Sequence, residues 1–196
     1  MNKNKLKAQV ENYTKESNSV SSNTAKIAQV KIVEASLLIS KTLKSGNKIM
    51  ICGNGGSASD ASHLAAEFTN KFSNSIVRKG MAAISLSSDS TFITAHSNDF
   101  SFDTIFSRQI ESIGNKGDVL IAISTSGKSI NVRKAIDKAN SMNINIISLT
   151  GNNTNLNKIS DITINVQSEN TQHIQETLLK IEHMLIYFVE QLIYKK

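Results

Sequence analysis

His63 and Glu67 stand four residues apart in a stretch, 58–72, whose pattern predicts a helix. An i, i+4 pair shares one helix face, so an imidazole and a carboxylate are presented together. Near the C-terminus, Gln175, Glu176, Glu182 and His183 fall in one long predicted helix, 171–194. From Gln175 to His183 the helix turns by about 80° beyond two full turns and rises about 12 Å. Two side chains leaning towards each other would just meet at a shared ion. Two histidines, a carboxylate and an amide oxygen suit zinc or a similar divalent metal. The same imidazole and carboxylate groups are also ordinary proton carriers. Spacing leaves the plainer readings open too, a surface pair for His63 and Glu67 and a buried histidine without a task for His183.

Two loops have the composition of anion seats. Lys48 to Cys52 is an apolar run, followed by Gly53-Asn54-Gly55-Gly56-Ser57 and then the helix that carries His63. Glycines allow a sharp turn and a close approach of backbone to ligand, and a helix N-terminus offers free N–H groups to an anion. The second loop follows another buried run, Asp118 to Ser124. Here Ser124, Thr125, Ser126 and Ser129 surround Gly127 ahead of a helix. One or two hydroxyls suffice to cap a helix; four within six residues point to phosphate held by hydroxyl and N–H groups. Gly127-Lys128-Ser129 is not the end of a nucleotide P-loop, because Ala122 stands where that motif needs glycine. Gly53-Asn54-Gly55 is not a dinucleotide fingerprint either, since Asp89, the first candidate acidic partner, comes well after the roughly 20 residues that motif allows.

The elements that must position these groups alternate. Predicted strands at 48–52, 81–86, 118–124, 144–150 and 162–166 are separated by helices at 58–72, 91–95, 102–110 and 132–140. Most of the strands are nearly continuous apolar runs, as in a parallel sheet covered on both faces. The expectation is an α/β fold, a three-layer αβα sandwich on a five-stranded parallel sheet. N-terminal helices and a long C-terminal helix flank it, and ligands lie beyond the C-terminal strand ends. Residues 3–20 are polar with weak helical spacing, whereas 23–45 form a stronger helix with two apolar rows. Ile27, Val30, Val33 and Leu37 make one row, and Ala28, Ile32, Ala35, Ile39 and Leu43 the other. That face is wider than one neighbour covers. Ile174, Leu178, Ile181, Leu185, Phe188 and Leu192 make a heptad-like seam on the closing helix.

The chain has 196 residues, a single cysteine (Cys52) and a net charge of +6. That length suits one domain, 1–196, with 1–45 as an N-terminal helical segment that packs in an oligomer and 46–196 as the α/β core. One cysteine forms no internal disulfide, and its place in an apolar strand makes it a small hydrophobe. The lysines are scattered, without a basic stripe interleaved with aromatics, so no nucleic-acid partner is expected. No apolar run approaches the roughly 20 residues of a membrane span, and the polar N-terminus lacks a signal-peptide core. The expected setting is cytoplasmic, with no membrane partner.

Taken together, these motifs resemble the sugar isomerase (SIS) domain family and, within it, the phosphoheptose isomerases. The resemblance runs from about residue 24 to the C-terminus. It is carried by Cys52-Gly53-Asn54-Gly55-Gly56-Ser57, Asp60-Ala61-Ser62-His63 with Glu67, Asn98-Asp99-Phe100, Ile123-Ser124-Thr125-Ser126-Gly127, Leu149-Thr150-Gly151, and Ile174-Gln175-Glu176 with His183. It implies that Ser57, Ser124, Thr125, Ser126 and Ser129 hold the substrate phosphate, with Asn54, Gly55, Gly56, Asp89, Asn98, Asp99, Glu67 and Gln175 near the sugar. It also implies Glu67 and His183 as the acid–base pair, and His63, Glu67, Gln175 and His183 as ligands of a zinc ion. The family often has arginine where this chain has Lys71 and histidine where it has Leu178, and Ala58-Ser59 replaces a more polar pair.

By the same resemblance the reaction is the interconversion of D-sedoheptulose 7-phosphate and D-glycero-D-manno-heptose 7-phosphate through an enediol. It serves heptose synthesis for lipopolysaccharide or capsule, in a homotetramer with active sites at subunit interfaces. Two other readings fit the SIS pattern: a non-catalytic binding protein of the replication-initiator-associating kind, and an isomerase of another sugar phosphate. The joint presence of His63, Glu67 and His183 speaks against the first, since a binding protein needs no such set.

Overall fold

The computed structural model describes residues 2–152 and 154–195. Five strands, β1 (Ile49–Cys52), β2 (Ala83–Ser85), β3 (Val119–Ser124), β4 (Asn145–Thr150) and β5 (Ile162–Asn165), form one sheet. Every pairing is parallel and the order is β2-β1-β3-β4-β5. β1 and β3 are buried along their whole length, as a sheet covered on both faces requires. Side chains alternate between two cores. Ile49, Ile51, Ile121, Ile123, Ile147 and Leu149 pack with helices α1 (Lys3–Lys44), α2 (Gly56–Thr69) and α6 (Thr171–Tyr194). Met50, Cys52, Leu120, Ala122 and Ile146 face the other layer, with α3 (Ser90–Asp99), α4 (Ile105–Ile113) and α5 (Ile130–Ser141). The expected three-layer αβα sandwich is present.

Strand order reverses between β1 and β3, because the chain leaves β1 for one edge and β3 for the other. The loops that follow these two strands therefore open side by side at the switch point, where parallel sheets bind ligands. Asp118 pins the opposite end. Its carboxylate accepts from the backbone N–H of Lys48 and of Asn115, from the Lys48 ammonium at 2.6 Å and from the Asn47 amide. Burial pushes this carboxyl up, but the hydrogen bonds from Lys48, Asn115 and Asn47 outweigh it and hold its pKa below the usual value.

Several elements differ from their predicted bounds. The N-terminal segment is one helix rather than two. Asn2 caps it by accepting from the Lys5 N–H, and the chain reaches no glycine until Gly46, whose φ of 80° ends it. Its polar first half is tethered to α6, since Tyr13 and Ser17 each donate to the Glu176 carboxylate at 2.6 Å. β2 shrinks to three residues at the sheet edge. Ser97-Asn98-Asp99 is not a connection but the last turn of α3. Cys52 is fully buried, and burial pushes its thiol up to about 12. The two apolar rows of α1 part company. Ala28, Ile32, Ala35 and Ile39 are buried, whereas Ile27, Val30, Val33 and Leu37 are each more than half exposed.

Candidate functional site

α2 starts at Gly56, two residues earlier than its pattern suggests, and packs beside α6. This brings His63, on one turn of α2, to His183, on α6. Their Nε2 atoms lie 3.2 Å apart. Nε2 of His63 is also 3.4 Å from Oε1 of Glu67. One ligand atom from each of His63, Glu67 and His183 lies within 4.8 Å of the others. Phe72 closes one side, its ring centroid 5.8 Å from that of His183.

Gln175 approaches from the first turns of α6. Its amide N–H donates to Oδ2 of Asp60, one turn before His63 on α2, at 3.2 Å. The amide orientation leaves Gln175 Oε1 as the atom open to a cation. Gln175 lies so close to the loop that a Cβ on Gly56 would meet its amide and push it aside. Burial raises the Asp60 pKa, against the Gln175 hydrogen bond and the charge of His63. Glu182 is fully buried and neither of its oxygens has a partner among the described residues. Burial, with Asp60 and Glu67 nearby, raises its pKa well above the ordinary glutamate value. Oε2 of Glu67 is likewise buried and unpartnered.

These features fit a small divalent cation. Two imidazole nitrogens facing each other at 3.2 Å cannot both present lone pairs without an intervening proton or metal. Ligand atoms bound tetrahedrally with bonds of roughly 2.0–2.1 Å lie about 3.4 Å apart. The observed separations of 3.2 Å and 3.4 Å match that spacing. Buried carboxylate oxygens without donors are what a cation would satisfy.

The hydroxyl-rich loop is linked to the start of α6 through the β4 end. Gly151 donates its N–H to Thr125 O, and Gly151 packs so tightly that an added Cβ would meet Ile174, the neighbour of Gln175. Ser124 donates to Ser129 Oγ at 3.3 Å. Ser129 precedes α5 but makes no capping bond with its side chain; the Val132 N–H donates to Asn131 Oδ1 at 2.9 Å, which leaves the N–H groups of Ile130 and Asn131 to face an anion. Ser126 is exposed and Thr125 and Ser129 are half-buried. The start of α2 is different. The N–H groups of Ser57, Ala58 and Ser59 turn back onto the carbonyls of Asn54 and Gly55, so of the two predicted anion seats the second is the open one. Asn54 is held by a reciprocal pair of amide bonds with Asn131, at 2.8 and 3.0 Å. That clasp ties the loop after β1 to the start of α5.

Other predicted residues stand apart from this cluster. Asp89 is the N-cap of α3, accepting from the Phe92 N–H at 2.9 Å. Asn98 donates to Asp99 at 2.8 Å, and both are exposed at the end of α3. No direct contact joins these three to the histidine cluster among the described residues. Lys71 is exposed and donates to Asn74. Leu178 is fully buried core, which accounts for an apolar residue there. Sequence reasoning gave no role to Asn131, to Asp60 as the partner of Gln175, or to Arg78. Only Asp60 had a local signal, since it sits one turn before His63.

Residues 12–151 match the SIS domain family. The chain is 46% identical over 155 residues to the phosphoheptose isomerase of Helicobacter pylori strain P12, spanning 79% of this chain and 80% of that protein. The structure of a phosphoheptose isomerase from Neisseria gonorrhoeae superposes with a TM-score of 0.88 at 34% identity, covering 95% of this chain and 99% of that one. A phosphoheptose isomerase from Francisella tularensis superposes with a TM-score of 0.89 at 32% identity, covering 94% and 97%. A match over most of both chains, with the hydroxyl-rich loop at a C-terminal strand end and the donor cluster between α2 and α6, means that the chain belongs to the phosphoheptose isomerase family of SIS-domain proteins.

Proposed function

We propose that this protein is an aldose–ketose isomerase that interconverts D-sedoheptulose 7-phosphate and D-glycero-D-manno-heptose 7-phosphate. The observation that carries the reading is the convergence of His63, Glu67 and His183, from helices more than a hundred residues apart in sequence, within 4.8 Å of one another. Isomerisation needs a base and an acid on neighbouring carbons and oxygens, held at fixed distance from a phosphate anchor.

Glu67 acts as the base. It removes a proton from the carbon next to the carbonyl, and His183 donates a proton to the carbonyl oxygen, which gives an enediol. The proton then returns to the neighbouring carbon as the other hydroxyl gives up its own, so the two groups exchange roles. A positioned acid or base contributes about 10²–10⁴-fold. Ser124, Thr125, Ser126 and Ser129, with the N-terminus of α5 and Ser57, hold the phosphate and orient the sugar. Asn54, Gly55, Gly56, Gln175, Asp89, Asn98 and Asp99 contact the chain of hydroxyls. His63, Glu67, Gln175 and His183 would hold zinc. Bound there, the metal would polarise the carbonyl oxygen and steady the enediolate charge.

The stripe of Ile27, Val30, Val33 and Leu37, with Phe188 and Leu192 of α6 beside it, leaves an apolar face exposed. Further copies of the chain cover it in a homotetramer whose active sites lie at subunit interfaces. No described helix is long and apolar enough to cross a membrane; the enzyme works in the cytoplasm and feeds heptose into lipopolysaccharide or capsule. The test is to incubate the protein with sedoheptulose 7-phosphate, with zinc or with chelator, and follow aldose formation by NMR. Aldose formed with zinc and lost on chelation is expected; no aldose from a folded oligomer overturns the reading.

A further inference from the structure

Arg78 lies in the segment between α2 and β2, and its side chain is 0% exposed, as is that of its partner Glu190 on α6. The guanidinium spends its donors in three directions. Nε donates to Glu190 Oε1 at 2.6 Å. Nη2 donates to the backbone carbonyl of Glu67 at 2.6 Å. Nη1 donates to the carbonyl of Phe68 at 2.8 Å and to that of Lys79 at 3.2 Å. Glu190 Oε1 also accepts the backbone N–H of Phe72, at 3.4 Å.

The last carbonyls of a helix lack intrahelical partners, and a cation there complements the helix dipole. A left-handed asparagine or glycine serves that need without burying a charge, but Asn70, at the C-cap of α2, has a φ of −98° and does not adopt that conformation. Burying an ion pair is a costly way to close a helix, and its gain is fixed geometry rather than stability. Here the fork ends on the backbone of Glu67, whose carboxylate reaches the histidine cluster. Its counter-ion, Glu190, stands two turns after His183 on the same face of α6. Phe72, held by Glu190, stacks towards the His183 ring. One buried cation thus joins the backbone of Glu67 to the helix that carries His183.

We infer that Arg78, paired with Glu190, is a positioning residue that sets the distance between the Glu67 carboxylate and His183 by clamping the end of α2 to α6. Arg78 touches neither substrate nor metal. The inference rests on the reading of Glu67 as base and ligand. Its prediction is that loosening the clamp lowers turnover and zinc affinity while leaving phosphate-anchored binding alone.

The experiment uses the zinc-loaded protein and three variants. Arg78→Lys keeps the charge beside Glu190 but cannot fork to both carbonyls. Arg78→Met/Glu190→Met removes the pair without leaving a lone buried charge, so it keeps a folded core. Glu67→Gln is run alongside. The expected result is a kcat reduced about tenfold or more in the clamp variants, with KM for sedoheptulose 7-phosphate within about twofold. Zinc affinity, read by competition with a chromogenic chelator, falls by about 10–100-fold, the usual loss when an orienting partner of a ligand is removed. Arg78→Lys retains more of both than the double variant. Unchanged kcat and zinc affinity in the folded double variant overturn the inference, as does a kcat loss that vanishes when assays run well below each variant's melting temperature. Wild-type turnover in Glu67→Gln would instead sink the role of Glu67 itself.

Discussion

Nε2 of His183 lies 3.2 Å from Nε2 of His63, and the two rings are inclined at 65° with centroids 5.4 Å apart. Neither ring is paired in this way by its own helix; the contact exists only because α2 and α6 pack on the same face of the sheet. Glu67 completes the group from within α2, 3.4 Å from His63. A proton carrier and a ligand set therefore share the same three side chains, so substitutions must be read for both.

Glu67→Gln is expected to lower turnover roughly a hundredfold or more while leaving the fold intact, because the amide keeps the size of the side chain and loses both its basicity and its charge as a ligand. Steady-state kinetics with sedoheptulose 7-phosphate, alongside circular dichroism, checks it. Near-normal turnover would remove Glu67 from the proton path.

Gly56→Ala tests the seat of Gln175. The added methyl meets the Gln175 amide, so Gln175 must swing away and give up its bond to Asp60. Alanine is otherwise favoured in a helix, so stability should change little. The expected outcome is a tenfold or greater fall in zinc affinity with a melting temperature close to the parent. An unchanged chelator-competition curve would show that Gln175 does not matter there.

The Asn54–Asn131 clasp couples two loops across the switch point. Asn131 is 2% exposed, so Asn131→Ala leaves the Asn54 amide short of its partners. A cost of about 1–3 kcal/mol is expected in urea unfolding. The double variant with Asn54→Ala should cost less than the sum of the singles, since both remove the same pair. Strict additivity would mean that the clasp adds no coupling.

Glu182 sets the sign of a pH effect. Its pKa in the folded chain is raised above the ordinary 4.5, by burial first and then by Asp60 and Glu67. A folded state that holds its proton more tightly than the unfolded one is favoured at low pH. That share of stability is fully present below pH 4.5 and is lost as pH rises through the raised value. In chelator-treated protein, Glu182→Gln should therefore flatten the decline of melting temperature with rising pH. Parallel curves for parent and variant would show that the carboxyl finds a partner in solution.

Local patterns in the sequence determined the α/β class, the number of strands, the i, i+4 pair of His63 and Glu67, and the four-hydroxyl loop after β3. Each is a matter of spacing over a few residues, where side-chain period and helix-start chemistry act directly. The same locality explains the misplaced edges. Weak spacing in residues 3–20 does not reveal that Tyr13 and Ser17 are tied to Glu176 and that nothing breaks the helix. Only the tertiary structure decided that β1 and β3 are neighbours, which sets Asn54 against Asn131, and that α2 and α6 share a layer, which sets His63 against His183, Asp60 against Gln175 and Arg78 against Glu190. Strand order and helix layering are chosen by the fit of two whole cores. A pairing across more than seventy residues leaves no period in the sequence to read.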